Sequence, residues 1–220
     1  SVGNTNMLSD YAAIKNGSYR KLMKAYYAKQ YAEKLSGKGD TSQKLTLMKT
    51  SADSLKKSAD ALNDSSLWEK KKIKKKDEKT GEEIEVEDYD WDKITKAVKS
   101  FVEDYNDVVK EAGESNTKDV LRNASWMTGM TDKNSNMLAK IGITIGKGNK
   151  LELDEDALKQ ADISSLKTVF TGYNSFVSKI SQKATGISNA ANRASATYTN
   201  NGTYSKTDSL LTSSKIDEEV

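Results

Sequence analysis

The side chains that could do chemistry in this chain are carboxylates, lysines and tyrosines, because its 220 residues include no Cys and no His. Disulfides and thiolate metal sites are therefore excluded, and so are imidazole ligands and the commonest general base. A glycoside hydrolase remains chemically open, since it needs two carboxylates flanking a cleft. A polar chain built on helical apolar stripes offers no obvious cleft, so we predict no enzyme, no cofactor and no small-molecule substrate.

Three acidic clusters have spacings that resemble ligand sites. Residues 132–136 and 88–92 alternate oxygen-bearing side chains as a calcium-binding loop does, but both lack its sharp-turn Gly and its final bidentate carboxylate. The third cluster, residues 154–156, suits the first turn of a helix, where a capping Asp and the helix dipole favour acidic residues. We therefore predict no metal site and no catalytic residue.

A basic run from Lys70 to Lys76 contains six Lys and is typical of a phosphate-binding patch. Six acidic residues follow within residues 82–90. A β-hairpin that turns at Thr80-Gly81 would place the two runs face to face, and opposite charges would then cancel the long-range field. We therefore predict a solvated hairpin inserted over residues 67–91. Binding of nucleic acid or an anionic surface by Lys70–Lys76 is the alternative function, and nucleic acid is not the partner we expect.

The predicted hairpin has a definite register, in which the numbers of paired residues sum to 159. This register sets Lys72 against Glu87, Lys74 against Glu85 and Ile73 against Val86. It also sets Trp68 against Trp91.

Three helical segments carry an apolar seam, meaning a stripe of apolar residues at alternating spacings of three and four. One helix cannot bury such a seam, so each needs a partner helix, and we expect the first two to pair antiparallel across the hairpin. The third begins one long helix at Ser164 or Ser165. The seams comprise Leu45, Met48, Ala52, Leu55, Ala59 and Leu62; Ile94, Val98, Phe101, Tyr105, Val108 and Ala112; and Leu166, Phe170, Tyr173, Val177, Ile180, Ala184, Ile187, Ala191 and Ala194.

Two sets of residues are candidate interaction surfaces. The first is the later part of the third seam, which could pair with protein partners or with a second copy. The second is a Tyr-rich stripe in a helix predicted within residues 5–36, for which packing on a neighbouring helix is the simpler alternative. The sets are Tyr173, Val177, Ile180, Ala184, Ile187, Ala191 and Ala194, and Tyr26, Tyr27 and Tyr31.

The composition agrees with a mainly α fold, an elongated antiparallel helical bundle or coiled coil. Hydrophobic residues make up only 35% and charged residues 30%, which suits narrow seams better than a thick core. The charged β-hairpin (67–91) and a small β-hairpin (141–153) interrupt the helices. We expect residues 1–198 to form one elongated domain and 199–220 a disordered tail. A net charge of +3 predicts no general affinity for anions, and no apolar run approaches the ~20 residues of a membrane span.

Two groups of residues resemble the flagellar filament-capping protein family, hook-associated protein 2. Ile141-Gly142-Ile143, the run from Gly148 to Leu158, and Val169-Phe170 resemble its C-terminal region. Phe101–Val109 resembles its Phe-Val-x-x-Tyr-Asn helix, and the whole resemblance covers residues 94–195. Capping proteins are normally longer, with β-rich domains where this chain has only the 67–91 hairpin.

The resemblance implies a non-enzymatic structural role in a bacterial surface appendage. The protein would be exported without a cleaved signal and would be extracellular, at the flagellum; otherwise we expect it in the cytoplasm. Helix–helix association with copies or partners would be its mechanism.

Overall fold

The structure is a computed structural model that describes residues 39–200. The helix or pair of helices predicted within residues 5–36, with Tyr26, Tyr27 and Tyr31, lies outside the described residues. The predicted tail (199–220) also lies outside them, except for residues 199 and 200, which are helical.

The described chain is mainly α, as the sequence predicts, with two small antiparallel sheets. Short 3-10 turns lie at Ser65–Trp68 and Lys147–Asn149. In chain order the elements are α1 (Ser42–Leu62), β1 (Lys71–Lys76), β2 (Glu83–Asp88), α2 (Trp91–Gly113), α3 (Lys118–Lys133), α4 (Ser135–Ala139), β3 (Ile143–Ile145), β4 (Leu151–Leu153), α5 (Glu155–Gln160), α6 (Ile163–Phe170) and α7 (Phe176–Asn200).

The four long helices form an antiparallel bundle. Helix α1 packs between α2 and α7, and α3 packs against the other sides of the same two helices. The direction of α7 is shown by two hydroxyl–carboxylate contacts, in which Ser181 meets Asp60 and Ser188 meets Asp53. Strand β4 and helix α5 pack against α2, and β3 packs against α4.

The first two seams are confirmed, because all their residues are buried in one core. Their alternating spacing keeps the same face of each helix turned inward over five to six turns. Thr41 caps the start of α1 and Asp90 the start of α2 by accepting a backbone N–H three residues on. The predicted antiparallel pairing of α1 with α2 is also confirmed, since Lys44 near the start of α1 donates to the carbonyl of Glu114 beyond the end of α2.

The third seam is not carried by one continuous helix, so that prediction is wrong. The chain breaks between α6 and α7 at Gly172, whose φ of 99° is a left-handed conformation that ends a helix. The Asn63 side chain holds this break by accepting from the Gly172 N–H and donating to its carbonyl. Tyr173 lies in the break and is 81% exposed.

The charged hairpin has the predicted register over residues 71–76 and 83–88, with Lys72 opposite Glu87 and Lys74 opposite Glu85. Its turn contains Gly81 at a φ of 70°. The predicted pairing of Trp68 with Trp91 is wrong, because both lie beyond the strand ends. Trp68 instead enters the core, and Trp91 begins α2.

A stacked aromatic pair closes the end of the bundle from which the hairpin leaves. The rings of Trp68 and Phe170 are 5.6 Å apart and nearly parallel, and Phe170 also meets Phe101 edge to face. The Trp68 indole N–H donates to the Leu62 carbonyl at 2.7 Å. This bond satisfies a helix-end carbonyl that would otherwise be buried without a partner.

A buried carboxylate organises the opposite end of the bundle. Asp40 is 1% exposed and accepts hydrogen bonds from Ser115 Oγ at 2.8 Å, the Asn116 N–H at 2.7 Å and Thr117 Oγ1 at 2.5 Å. It therefore joins the residues before α1 to the connection between α2 and α3. Thr117 begins α3 without a side-chain cap because its hydroxyl is used here.

Candidate interaction surfaces

The described residues contain no group of three His, Cys, Asp or Glu side chains that could hold a metal ion. None of the helices over 39–200 combines the length and apolar character needed to cross a bilayer. The candidate functional features of the described chain are contact surfaces and the junctions that hold them in place.

The first junction joins α2 to the small β3–β4 hairpin. Asn106 on α2 donates to the Leu151 carbonyl at 3.0 Å and accepts the Leu151 N–H at 2.7 Å. Its side-chain amide thus takes the place of a neighbouring strand on the open edge of β4. The adjacent Tyr105 is fully buried and donates to Thr131 at 2.8 Å. Together they explain why a Tyr-Asn pair stands in this helix: one residue faces α3 and the next faces β4.

Replacing Asn106 with Ala should detach β4 from α2. Both backbone groups of buried Leu151 would lose their partner, and unsatisfied buried groups cost about 1–3 kcal/mol each. We expect a free energy of unfolding lower by about 2–4 kcal/mol, measured by urea denaturation. Asn106→Asp is the control for shape, because it keeps the acceptor for the Leu151 N–H but sets a charged oxygen against the Leu151 carbonyl, so it should not restore the stability of the wild type.

The second junction joins the β3–β4 hairpin to α5 at Gly142. The Gly142 carbonyl accepts the Asp154 N–H at 2.8 Å, and Asp154 caps α5 by accepting the Ala157 N–H at 3.0 Å. A Cβ on Gly142 would lie 2.7 Å from the Asp154 carbonyl oxygen, and its φ is 88°. The predicted hairpin at 141–153 and its Asp154 cap are both confirmed.

The structure places the candidate seam of α7 mostly inside the bundle. Five of its residues are buried against the neighbouring helices, Ala194 is partly buried, and Tyr173 is exposed in the break before α7. The neighbours that cover the seam belong to this same chain, chiefly α1 and α3. The buried five are Val177, Ile180, Ala184, Ile187 and Ala191.

Two equivalent clusters of three polar side chains, the rungs, join α1 to α7. They lie seven residues apart along each helix. In each rung an Asp of α1 accepts from a Ser hydroxyl of α7 and from a Lys four residues earlier on α1. Sequence spacing alone hints at this, because two Asp and two Ser recur seven residues apart. The rungs are Lys49–Asp53–Ser188 and Lys56–Asp60–Ser181, with Ser–Asp distances of 2.6 Å and 2.7 Å.

The rungs lower the pKa of both carboxyl groups below 3.8. At Asp53 the hydrogen bond from Lys49 is the largest cause, followed by that from Ser188. At Asp60 burial opposes the shift, but the hydrogen bonds from Lys56 and Ser181 outweigh it. A lowered pKa means that the stabilisation is present above the unfolded value and is lost as pH falls through the folded one.

The double variant Asp53→Asn, Asp60→Asn should therefore be less stable than the wild type at about pH 6, and the difference should shrink as pH falls below 3.8. Both carboxylates are about half exposed, so we expect only about 1–2 kcal/mol in total. Urea denaturation at each pH measures the difference. Comparing the two proteins removes the effect of Asp104, whose pKa burial raises. A difference that grows toward acid pH would contradict this assignment.

The hairpin brings the basic and acidic runs together as predicted. Lys72, Lys74 and Lys76 share one face with the glutamates opposite them, and Lys75 forms a 2.7 Å ion pair with Asp88. Each positive charge on that face thus has a negative neighbour across the strand pair, which weakens any field that would attract phosphate.

The alternative function predicts binding of duplex DNA that weakens on changing Lys72, Lys74 and Lys76 to Ser. The paired charges predict instead that the unmodified protein leaves DNA mobility unchanged even at about 0.05 M salt, where phosphate contacts are strongest. A gel-shift series over salt concentration distinguishes the two. A shift at low salt that the Ser variant abolishes would favour the alternative.

One aromatic side chain of α3 packs against the bundle only in part. Trp126 on α3 is 50% exposed, with the Lys183 ammonium 4.6 Å from its ring centroid and the Arg122 guanidinium at 6.0 Å. The neighbouring Met127 is buried. Helical periodicity explains this difference, because adjacent residues point about 100° apart.

Comparison with known proteins agrees with the motifs. Residues 114–218 match the family model of the flagellar hook-associated protein 2 C-terminus. The match confirms the suspected relationship for the C-terminal region and includes both junction residues Gly142 and Leu151. The Phe101–Val109 motif precedes the matched residues. No curated protein matches the chain, and no solved structure does.

Proposed function

From a C-terminal half that matches the flagellar hook-associated protein 2 family, we propose that this chain is a non-enzymatic structural component of a bacterial flagellum. It would act outside the cell at the filament, by helix–helix association with filament proteins or with copies of itself. The family match is the observation that carries the proposal, since that family is a structural flagellar cap protein.

Two features of the structure support the end of α7 as the site of this association. The family motifs lie at turns, caps and core positions, so they maintain the bundle and leave its surface free to differ. Helix α7 runs antiparallel to α3, with Lys183 beside Trp126 and Gly186 beside Asn123. Its last residues therefore lie beyond the start of α3, where the seam residue Ala194 is only partly buried. The Ala-rich end of α7 is therefore the part of the seam that a partner helix can still reach. The predicted Tyr26, Tyr27 and Tyr31 surface belongs to the same proposal.

Co-sedimentation with purified flagellar filaments tests this function. We expect the protein to pellet with filaments, and antibody labelling of intact cells to place it on flagella. A protein found only in the cytoplasm, or one that stays in the supernatant with filaments, would overturn the proposal.

A matched pair of substitutions tests the surface. Ala194→Glu would put a charge into the partly buried seam and should reduce co-sedimentation at least tenfold. Ala196→Glu, two residues away at an exposed position, is the control and should leave co-sedimentation unchanged. Equal effects of the two changes would argue against the seam.

A further inference from the structure

The charged hairpin has two open edges. In the described chain its sheet has only the strands β1 and β2, and they contact mainly each other. An exposed strand edge is a template for another strand, and a two-stranded sheet is at best marginally stable in water. An additional strand that pairs with either edge would therefore stabilise the hairpin.

The charges of the two strands rule out joining about a two-fold axis. Two copies that met β1 to β1 would set lysines against lysines, because five of the six residues of β1 are Lys. Two copies that met β2 to β2 would set carboxylates against carboxylates, because four of its six residues are acidic. Like charges directly opposite each other are destabilising. Only the basic edge of one copy and the acidic edge of another are complementary.

We propose that this hairpin self-associates head to tail, with the β1 edge of one copy pairing antiparallel with the β2 edge of the next. A second copy displaced sideways in the plane of the sheet presents its β2 antiparallel to the first copy's β1. If the intrachain register repeats, Lys72 lies between two Glu87 residues and Lys74 between two Glu85 residues. The charges then alternate in sign across the whole face.

The same register also aligns the apolar residues on the other face of the sheet. Ile73 and Val86 are directly opposite each other, and Ile84 on the same face is 39% exposed. In the displaced copy the Ile73–Val86 row continues unbroken from one hairpin into the next. One register thus extends both the charge pattern and the apolar row, and four strands replace two.

Two consequences distinguish this interface from a simple dimer. A head-to-tail contact leaves one basic and one acidic edge open at the ends, so association is not limited to two copies. Its attraction is between exposed charges, so association weakens as salt rises from about 0.05 M to about 0.5 M. Neither consequence depends on the flagellar role.

Disulfide trapping reads the orientation directly, since the chain has no Cys of its own. One protein carries Lys74→Cys, and a second, tagged to differ in mass, carries Glu85→Cys. On mild oxidation of an equal mixture we expect the mixed 74–85 disulfide to exceed the two symmetric products at least tenfold. A statistical mixture, a majority of symmetric products, or no disulfide would overturn the proposal. Leu47→Cys, exposed on α1 near the end of the bundle opposite the hairpin, is the control for random collision.

Sedimentation of charge variants tests whether opposite charges drive the self-association. The wild type should exceed its monomer mass of 24.2 kDa as concentration rises at low salt. Changing Glu83, Glu85 and Glu87 to Lys should leave a monomer. Adding Lys72→Glu, Lys74→Glu and Lys76→Glu gives the two strands opposite charges again and should restore association. Restored association would show that the triple Lys variant loses charge complementarity and not the hairpin itself. A wild type that stays monomeric, or a six-residue swap that does, would refute the proposal.

Discussion

Gly142→Ala should be among the most destabilising single changes in this protein, lowering the free energy of unfolding by about 3 kcal/mol or more. The added Cβ would sit 2.7 Å from the Asp154 carbonyl oxygen and 3.0 Å from the Leu158 nitrogen. Both atoms are backbone of α5 and its cap, so neither can move without opening the junction. The left-handed φ adds about 1–2 kcal/mol for a residue with a side chain.

Gly172→Ala is the matched control, because it shares the left-handed φ, at 99°, and has open space where the Cβ would lie. We expect it to cost about 1–2 kcal/mol, which is the cost of the left-handed φ alone. Thermal unfolding followed by circular dichroism should show Gly142→Ala melting about 6–12 °C lower than the wild type. Equal melting temperatures for the two variants would show that the close approach to α5 is not what requires Gly142.

Phe170→Ala should lower the free energy of unfolding by about 3–5 kcal/mol. The Phe170 ring is fully buried, stacks on Trp68 and meets Phe101 edge to face. Its loss would leave a cavity where α6, α2 and the turn after α1 converge. Urea denaturation monitored by tryptophan fluorescence suits the measurement, because the Trp68 environment changes directly.

Tyr173→Ala, only three residues later, should change stability by less than about 0.5 kcal/mol. Tyr173 is an aromatic residue of similar size on the same predicted seam, but it is exposed. The comparison therefore isolates burial from residue type. A loss at Tyr173 as large as that at Phe170 would mean that the break at Gly172 does not expose this position.

Much of the local structure follows from short-range patterns. The seams of α1 and α2 are predictable because a repeat of 3.5 residues can face one side only in a helix. The register of the charged hairpin is predictable because oppositely charged runs flank a single turn containing Gly81. The Asp154 cap is likewise predictable, since an Asp before an acidic first turn satisfies free N–H groups.

Contacts between distant residues were not predictable in the same way. The Asn106–Leu151 bonds join residues 45 apart, and the Asp40 cluster joins residues 75 to 77 apart. Each of these contacts depends on where two elements meet in space. No repeat in a single sequence indicates that meeting point. The break at Gly172 was missed for a related reason, because apolar spacing continues through it while the backbone turns away.

The sequence by itself determined which faces of the helices are apolar and how the hairpin strands pair. It also determined the similarity of the C-terminal region to flagellar hook-associated protein 2. Only the tertiary structure decided what covers those faces. The spacing of Val177, Ile180 and Ala184 predicts that a partner helix is needed but does not say whose, because hydrophobic burial is non-directional. In the folded chain α1 and α3 cover these residues, and the open strand edges of the hairpin stay uncovered because no third strand of the described chain reaches them.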